Sequence, residues 1–462
     1  MTVSVVLYTC DLRVHDHPPL RAAVATGREV VPLFVLDDRV SDVGFAVPNR
    51  LAFLADCLAG LDAGLRARGG RLVLRSGDLV EEVGRVVAES GAREVHVSCG
   101  YSAFAQRREE RLRKALEGAG CALHVHEPVV TVVPPGQVTP QGSDHFAVFT
   151  PYFRRWSQER VRDPLAAPRA VHVPPGIGSL RLPNRSEVQG VSPGLARGGE
   201  PEARDRFGSW LHRGPGGIGG YEEGHDDLPG DCTSRLSPHL HFGTLSAVEA
   251  VQRARAKGGA GAEAFVRQLC WRDFHHQVLA SRPAVAHADY RTKHDRWRTE
   301  REAAREIEAW KRGVTGYPIV DAAMRQLNHE GWMHNRGRLL AASFLTKTLY
   351  VDWRVGARHF LDLLVDGDTA NNQLNWQWMA GTGTDSRPNR VLNPVVQAKR
   401  YDPRGDYVRR WVPELAELPG SAVHEPWKLT GLDRAQYDYP EPLVELSEGL
   451  ARFRSARGST EA

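Results

Sequence analysis

The sequence predicts two architectures in one chain: an N-terminal α/β domain built on a doubly wound parallel sheet, and a large all-α C-terminal domain. Over the first 130 or so residues, short β-branched runs alternate with amphipathic stretches, the pattern of strands whose crossover helices cover both faces of a sheet. From about Glu202 the apolar residues recur at helical spacing instead, and every tryptophan except Trp156 and Trp210 lies at or beyond Trp271. A stretch over 165–200, rich in Pro, Gly, Arg and Ser and lacking sustained periodicity, marks the join. The expected organisation is an α/β domain over 1–130, a connector over 131–200 and a helical domain over 201–462.

Strands are expected at Val3–Tyr8, Val30–Leu36, Arg71–Leu74, Val95–Ser98 and Leu123–His126, where Val and Leu cluster in runs of strand length. Asn49–Arg68, Leu79–Ser90 and Gln106–Gly120 carry apolar residues on one helical stripe and charges elsewhere, as covering helices must. The first strand-to-helix turn, TCDLRVHDHPPL, lacks the G-x-G-x-x-G that lets a backbone approach a pyrophosphate, so the domain is not read as an NAD site. The crevice at the strand ends can still hold a flat ligand, or serve only as scaffold. In the second half, helical spacing places segments at Arg204–His212, Thr244–Ala256, Gly261–Ser281, Thr299–Lys311, Ile319–Glu330, Asn335–Thr348 and Trp353–Leu364.

The 462 residues suffice for two or three cores. A net charge of +4 is modest, so a nucleic-acid surface would require basic groups gathered on one face. The six cysteines fall in no C-x-x-C or Cys/His ligand spacing, which excludes a zinc or iron–sulfur reading and fits free thiols in a reducing cytoplasm. No export signal or apolar run of membrane-spanning length is present.

Chemistry concentrates between Val365 and Leu415, in VDGDTANNQLNWQWMAGTGTDSRPNRVLNPVVQAKRYDPRGDYVRRWVPEL. Asp366 and Asp368 can accept hydrogen bonds from ring or ribose donors, Asn371 and Asn372 can donate and accept, and Trp376 and Trp378 offer polarisable faces. Arg387, Arg390, Lys399, Arg400, Arg404, Arg409 and Arg410, opposed within the segment by Asp385, Asp402 and Asp406, read as a phosphate-contacting strip. Arg338, on an apolar helix, needs a carboxylate partner, and Asp366 is the candidate. Upstream, Tyr221 closes the Gly-rich GPGGIGGY. Thr233-Ser234-Arg235-Leu236-Ser237 then offers hydroxyls, a guanidinium and helix-start N–H groups to a phosphate, or simply caps a helix beginning near Pro238.

These blocks, in this order, resemble the DNA photolyase and cryptochrome flavoprotein family across essentially the whole chain, and most closely the bacterial class I cyclobutane-dimer photolyases. They run from Tyr221 and Thr233–Ser237 through WRDF at Trp271–Phe274, TGYPIVDAAMRQL at Thr315–Leu327, GWMHNR at Gly331–Arg336 and DWR at Asp352–Arg354 to the segment ending RRWVPEL. The resemblance implies a soluble, monomeric, light-dependent enzyme that repairs cyclobutane pyrimidine dimers in UV-damaged DNA, with FAD as its cofactor. Tyr221, Thr233, Ser234, Arg235, Leu236 and Ser237 would hold the FAD pyrophosphate. Gln268, Trp271, Arg338, Asp366, Asp368 and Asn372 would complete the cofactor site, with Asn372 at flavin N5 and the Arg338–Asp366 pair beside the ring. Trp376, Trp353 and Trp297 would relay electrons from the surface, although the spacing from Trp297 to Trp310 departs by a few residues from the family pattern. Trp271 and Trp378 would wall the flipped lesion, with Gln268 and Asn335 hydrogen-bonding it. Arg336, Gln397 and Arg400 would hold the flanking strand.

Three positions depart from that pattern: Gln268 stands for a usual Glu, Leu339 for a Met, and His225 for an Arg. The rivals are a (6-4) photoproduct photolyase, for which a histidine would be expected where Asn335 stands, and a cryptochrome-type light receptor without repair. Ala105 and Gln106 occupy the place of the Asn-Glu pair that folate-using relatives carry. An 8-hydroxy-deazaflavin, or no second chromophore, is therefore the expectation for the antenna.

Overall fold

The structure is a computed structural model that describes residues 3–25, 29–42 and 44–458. It contains two compact units: Met1–Val191 with Ala196–Glu222 and Ser234–Pro283, and Ser192–Leu195 with Glu223–Thr233 and Ala284–Ala462.

The first unit is organised by five parallel strands, β1 (Val3–Tyr8), β2 (Glu29–Asp37), β3 (Val73–Gly77), β4 (Glu94–Ser98) and β5 (Ala122–His126), in the order β3-β2-β1-β4-β5. The order reverses between β1 and β4, which opens a crevice at their carboxyl ends. Central β1 is buried along its whole length, with Val5 paired to Val31 on one side and Val95 on the other. Its unbroken β-branched run is what a strand covered on both faces requires. Val5, Leu7, Val31 and Leu33 are fully buried, each contributing about 1.5–3 kcal/mol of burial.

The Leu79–Ser90 helix coincides with its expected span. Asp78 accepts from Val80 N (3.0 Å) and Glu81 N (3.3 Å) to cap its start, and Gly91 turns left-handed (φ 67°) to end it. β3 begins two residues later than its apolar run because Asp62 Oδ1 takes the Leu72 N–H (2.8 Å) before the chain reaches the sheet. The helices Glu200–His212, Ala247–Lys257 and Ala260–Ser281 belong to this unit too. The loop after β1 is tied to the first of them by Glu200, which accepts from Val14 N and His15 N (2.8 and 3.0 Å), and to the turn ahead of Ala247–Lys257 by Leu12 N–H donated to Phe242 O (3.1 Å) and Arg13 donated to Gly243 O (2.9 Å).

The second unit is helical, with Trp310, Met333, Phe344, Trp353 and Trp376 in one core. Its main helices are Ala304–Arg312, Pro318–Glu330, Asn335–Ser343, Trp353–Leu363, Thr369–Ala380, Pro394–Tyr401, Asp406–Trp411 and Leu446–Arg457. The chain continues from Ser343 into a π-helical turn over Phe344–Thr348 rather than a longer α-helix. Thr369–Ala380, which the sequence pattern does not mark as a helix, starts on Asp368 as N-cap and stops at Gly381 (φ 79°). Those two residues are its legible boundary signals.

Candidate functional site

In the second unit, the turn after Leu364 brings two carboxylates to the start of the Thr369–Ala380 helix. Asp366 is buried, and its Oδ2 accepts from Arg338 Nη2 at 2.8 Å, while Arg338 Nε donates to Met333 O at 2.8 Å. Asp366 Oδ1 is buried with no hydrogen-bond partner. A buried carboxylate oxygen left open is costly without a donor, so this atom marks a place for a ligand N–H or O–H. Asp368 Oδ1 accepts from Asn371 N (2.7 Å) and Asn371 Nδ2 (3.0 Å), so part of its acceptor capacity goes to the cap. One turn on, buried Asn372 donates through Nδ2 to Ala357 O (3.0 Å) and Gln373 Oε1 (2.9 Å). Its carbonyl oxygen remains the atom offered to a ligand.

Trp376 is buried in a T-shaped pair with Phe360 (centroids 4.9 Å, planes 79°) and near Trp310 (6.0 Å). The Trp353–Leu363 helix admits it only because residue 356 is glycine, where a Cβ would stand 2.1 Å from Trp376 Cη2. Trp353 is fully buried and donates its indole N–H to Asp289 Oδ1 at 2.8 Å. That carboxylate favours positive charge on the ring. Trp297 is half-buried, 4.8 Å from Tyr350, with the Arg457 guanidinium 5.7 Å from its ring. It lines a cavity of about 580 Å³ together with Arg298, Lys311, Arg354 and His359.

Of the residues expected to face nucleic acid, Asn335 is exposed at the first position of its helix, and Trp378 is half-buried. Arg336 is paired with Asp226, through Nε at 3.2 Å and through Nη2, and lies 4.3 Å over Tyr401; Arg400 lies 5.1 Å from the same ring. Gln397 is buried with Oε1 unpartnered. The basic strip is less continuous than its sequence implies. Arg409 donates to Leu418 O and Gly420 O (2.7 and 2.8 Å), Lys399 pairs with Glu425 (2.5 Å) and Arg404 with Asp406 (2.9 Å). Asp402 opposes none of them; it is buried and accepts from Tyr407 N and Val408 N (3.1 and 3.0 Å) at a helix start. Arg387, Arg390, Arg400 and Arg410 keep exposed side chains.

In the first unit, Tyr221 is buried edge-on to Trp210 (5.4 Å) and Phe265 (5.9 Å). The preceding glycine loop lies so close to the Ala260–Ser281 helix that a Cβ at Gly261 would meet Ile218 O at 1.9 Å. The short Ser237–His241 helix has Leu236 as its N-cap, with no side-chain cap bond, so Thr233 and Ser234 are not its caps. Thr233 and Asp231 belong to the second unit, where Thr233 Oγ1 donates to Asp231 Oδ1 (3.0 Å); Arg235, in the first, sits at φ 50°. Gln268 is exposed on the long helix. Trp271, one turn on, is half-buried and stacks face to face on Phe149, with centroids 3.6 Å apart and planes at 4°.

The chain is 67% identical over 459 residues to the deoxyribodipyrimidine photo-lyase of Streptomyces griseus, covering 99% of this chain and 100% of that one. The chain belongs to the DNA photolyase family. Consistent with this, the family model described as DNA photolyase matches residues 4–169, and that described as the FAD binding domain of DNA photolyase matches residues 265–458. Among solved structures, the bacterial class III photolyase from Agrobacterium tumefaciens is similar at TM-score 0.90 and 30% identity, covering 99% of this chain and 97% of that one. The Synechocystis cryptochrome is similar at TM-score 0.91 and 29% identity, covering 99% of each chain.

Sequence reasoning missed Asp289, Gly356 and Phe149, each of which fixes an expected photolyase tryptophan. It also missed a buried network at the β1–β4 crevice, where Asp11 Oδ2 accepts from His17 Nε2 (2.8 Å) and Ser98 Oγ (2.5 Å). Burial opposes the Asp11 charge, but the His17 charge and the bonds from His17 and Ser98 prevail and hold its carboxyl down to about 2. Tyr8 Oη is buried at the end of β1 without a partner. Gln106 instead lines a separate cavity of about 330 Å³ with Cys99, Tyr101, Glu109 and Glu127.

Proposed function

We propose that this protein is a deoxyribodipyrimidine photo-lyase, which uses blue light to reverse cyclobutane pyrimidine dimers in DNA with FAD as its working cofactor. The observation that carries the cofactor reading is Asp366, a buried carboxylate with one oxygen neutralised by Arg338 and the other left without a donor. A ring N–H is the donor that such an atom lacks. Bound reduced FAD supplies the light-driven electron that opens the cyclobutane ring and is returned when the ring has opened.

The chain's own residues have separable tasks. Asp366 and Asp368 would hold the flavin by acceptance, and Asn372 would meet its N5 edge with a neutral carbonyl oxygen. Tyr221 and the Thr233–Ser237 segment would take the pyrophosphate, where Arg235 adds positive charge. Trp376, Trp353 and Trp297 would pass electrons inward, with Asp289 easing charge on Trp353. Trp271 is read as a stacking wall for the extruded dimer, as is Trp378; Gln268 and Asn335 would bond to the lesion. Extrusion selects damage because a dimer is already badly stacked. Gln397 and Arg400 would grip the strand, and Arg336 would join them on leaving Asp226.

The same reading takes the protein as a monomer acting in the cytoplasm. None of its six cysteines is in a disulfide, and among the described residues no helix is long and apolar enough to cross a membrane. For a second, light-harvesting chromophore the reading favours 8-hydroxy-deazaflavin, or none, over folate, with Tyr8, Asp11 and Ser98 at the β1–β4 crevice as the holders of one that binds; the unpartnered Tyr8 hydroxyl supports a ligand there. The reading is tested by irradiating the photoreduced protein with an oligonucleotide carrying one cyclobutane dimer. Dimer loss in light and none in the dark is expected. Persistence in light would turn the assignment to a light receptor without repair.

A further inference from the structure

One face of the Trp271 indole is covered by the ring of Phe149. Phe149 opens the Phe149–Trp156 helix, is itself buried, and covers one face of the indole at 3.6 Å with nearly parallel planes. Aromatic pairs left to themselves prefer an offset or edge-on arrangement with centroids 4.5–7 Å apart, so an overlap this close is imposed by its surroundings. Three contacts impose it. Phe274 stands perpendicular to both rings, at 5.6 Å from Trp271 and 5.8 Å from Phe149, with planes at 88° and 90°. At the far end of the short helix, Trp156 donates its indole N–H to Asp273 Oδ2 (2.9 Å), two residues beyond Trp271 on the long helix. The short helix is thus held at both of its ends against the middle of the long one. The Arg267 guanidinium lies 5.2 Å from the Phe149 centroid and 4.9 Å from Phe153, where a cation offsets the repulsion between parallel electron-rich faces.

We propose that Phe149 is a positioning residue for lesion recognition: it fixes the plane of Trp271 before DNA arrives and confines stacking of the extruded pyrimidine dimer to the opposite face of the indole. The inference rests on the reading of Trp271 as a lesion wall. A pre-set ring loses no rotamer freedom on binding, so part of the ordering cost of recognition is met in the free protein. Phe149 touches neither cofactor nor lesion in this scheme, and acts only through Trp271.

The test is dark binding of the flavin-loaded protein to a duplex bearing one cyclobutane dimer, with undamaged duplex as reference. Phe149→Leu should weaken lesion binding about five-fold, the scale of one aromatic contact, and leave binding to undamaged duplex unaltered. Phe149→Tyr should restore it. Trp271→Ala should cost more than Phe149→Leu, and the double variant should bind within about two-fold of Trp271→Ala alone, because the two residues act as one unit. If Phe149→Leu folds poorly, Phe149→Met supplies the same comparison. Wild-type lesion affinity in the leucine variant, or strictly additive losses in the double variant, would overturn the inference while leaving Trp271 as the wall. Wild-type affinity in Trp271→Ala would remove the wall itself.

Discussion

Replacing Gly356 by alanine probes the packing that seats Trp376. A Cβ there would stand 2.1 Å from Trp376 Cη2, 2.4 Å from Cζ3 and 2.6 Å from Leu345 Cδ2. Carbon atoms settle at about 3.5–4.0 Å, so the indole must move by roughly 1.4 Å or more, or the two helices must part. The ring has little room to yield, with Phe360 4.9 Å away in a T-shaped pair and only 2% of its surface exposed. Overpacking of this kind costs about 1–3 kcal/mol. Alanine in a helix regains roughly 0.8–1 kcal/mol over glycine, so the net loss is about 0–2 kcal/mol and stability alone is a blunt readout. Photoreduction is sharper, because Trp376 is the proposed first donor to the flavin. Urea unfolding and the initial rate of flavin photoreduction with an external donor should be measured beside Gly84→Ala, a helical glycine with nothing within 4 Å of its added Cβ. Gly84→Ala should be neutral or stabilising, and Gly356→Ala should photoreduce several-fold more slowly. Equal stability of the two variants together with a wild-type photoreduction rate would refute the reasoning.

Asp366→Asn should lower the flavin-to-protein ratio after gel filtration and destabilise the second unit by about 1–3 kcal/mol in urea, since the Arg338 guanidinium loses its charged partner. Asp289→Asn removes the carboxylate that accepts from the Trp353 indole, so photoreduction should slow while protein reduced chemically still repairs dimers; repair and photoreduction yields measured side by side decide this. Acid should destabilise the fold through His239, whose pKa burial, assisted by the Arg206 charge, depresses to about 3. Because the folded value lies below the ordinary value of about 6.5, the unfolded chain takes up the proton first. Stability present above pH ~6.5 is therefore lost as pH falls toward 3, by up to about 2 kcal/mol at pH 5. His239→Gln should flatten that part of the urea midpoint against pH.

Much of the fold could be read directly. The Leu79–Ser90 helix carries a one-sided apolar stripe between an aspartate cap and a glycine stop, and no tertiary contact overrides either. The Arg338–Asp366 pair was also legible, because a guanidinium on an apolar helix needs a carboxylate. The Thr369–Ala380 helix was hidden for the opposite reason. Ala370, Asn372, Leu374, Trp376, Gln377, Met379 and Ala380 are all buried, so no single stripe emerges from the sequence. The residues that seat the tryptophans were illegible because they are distant: Asp289 is 64 positions from Trp353. The basic strip was over-read, since Arg409 is spent on backbone carbonyls that a charge count does not see.

Competition between two lesions decides which damage the protein repairs. The photoreduced protein, given equal amounts of duplex carrying a cyclobutane dimer and duplex carrying a (6-4) photoproduct, should in blue light return the first to intact pyrimidines and leave the second untouched, with neither changed in the dark. Loss of the (6-4) lesion with retention of the cyclobutane dimer would contradict the account, as would survival of both.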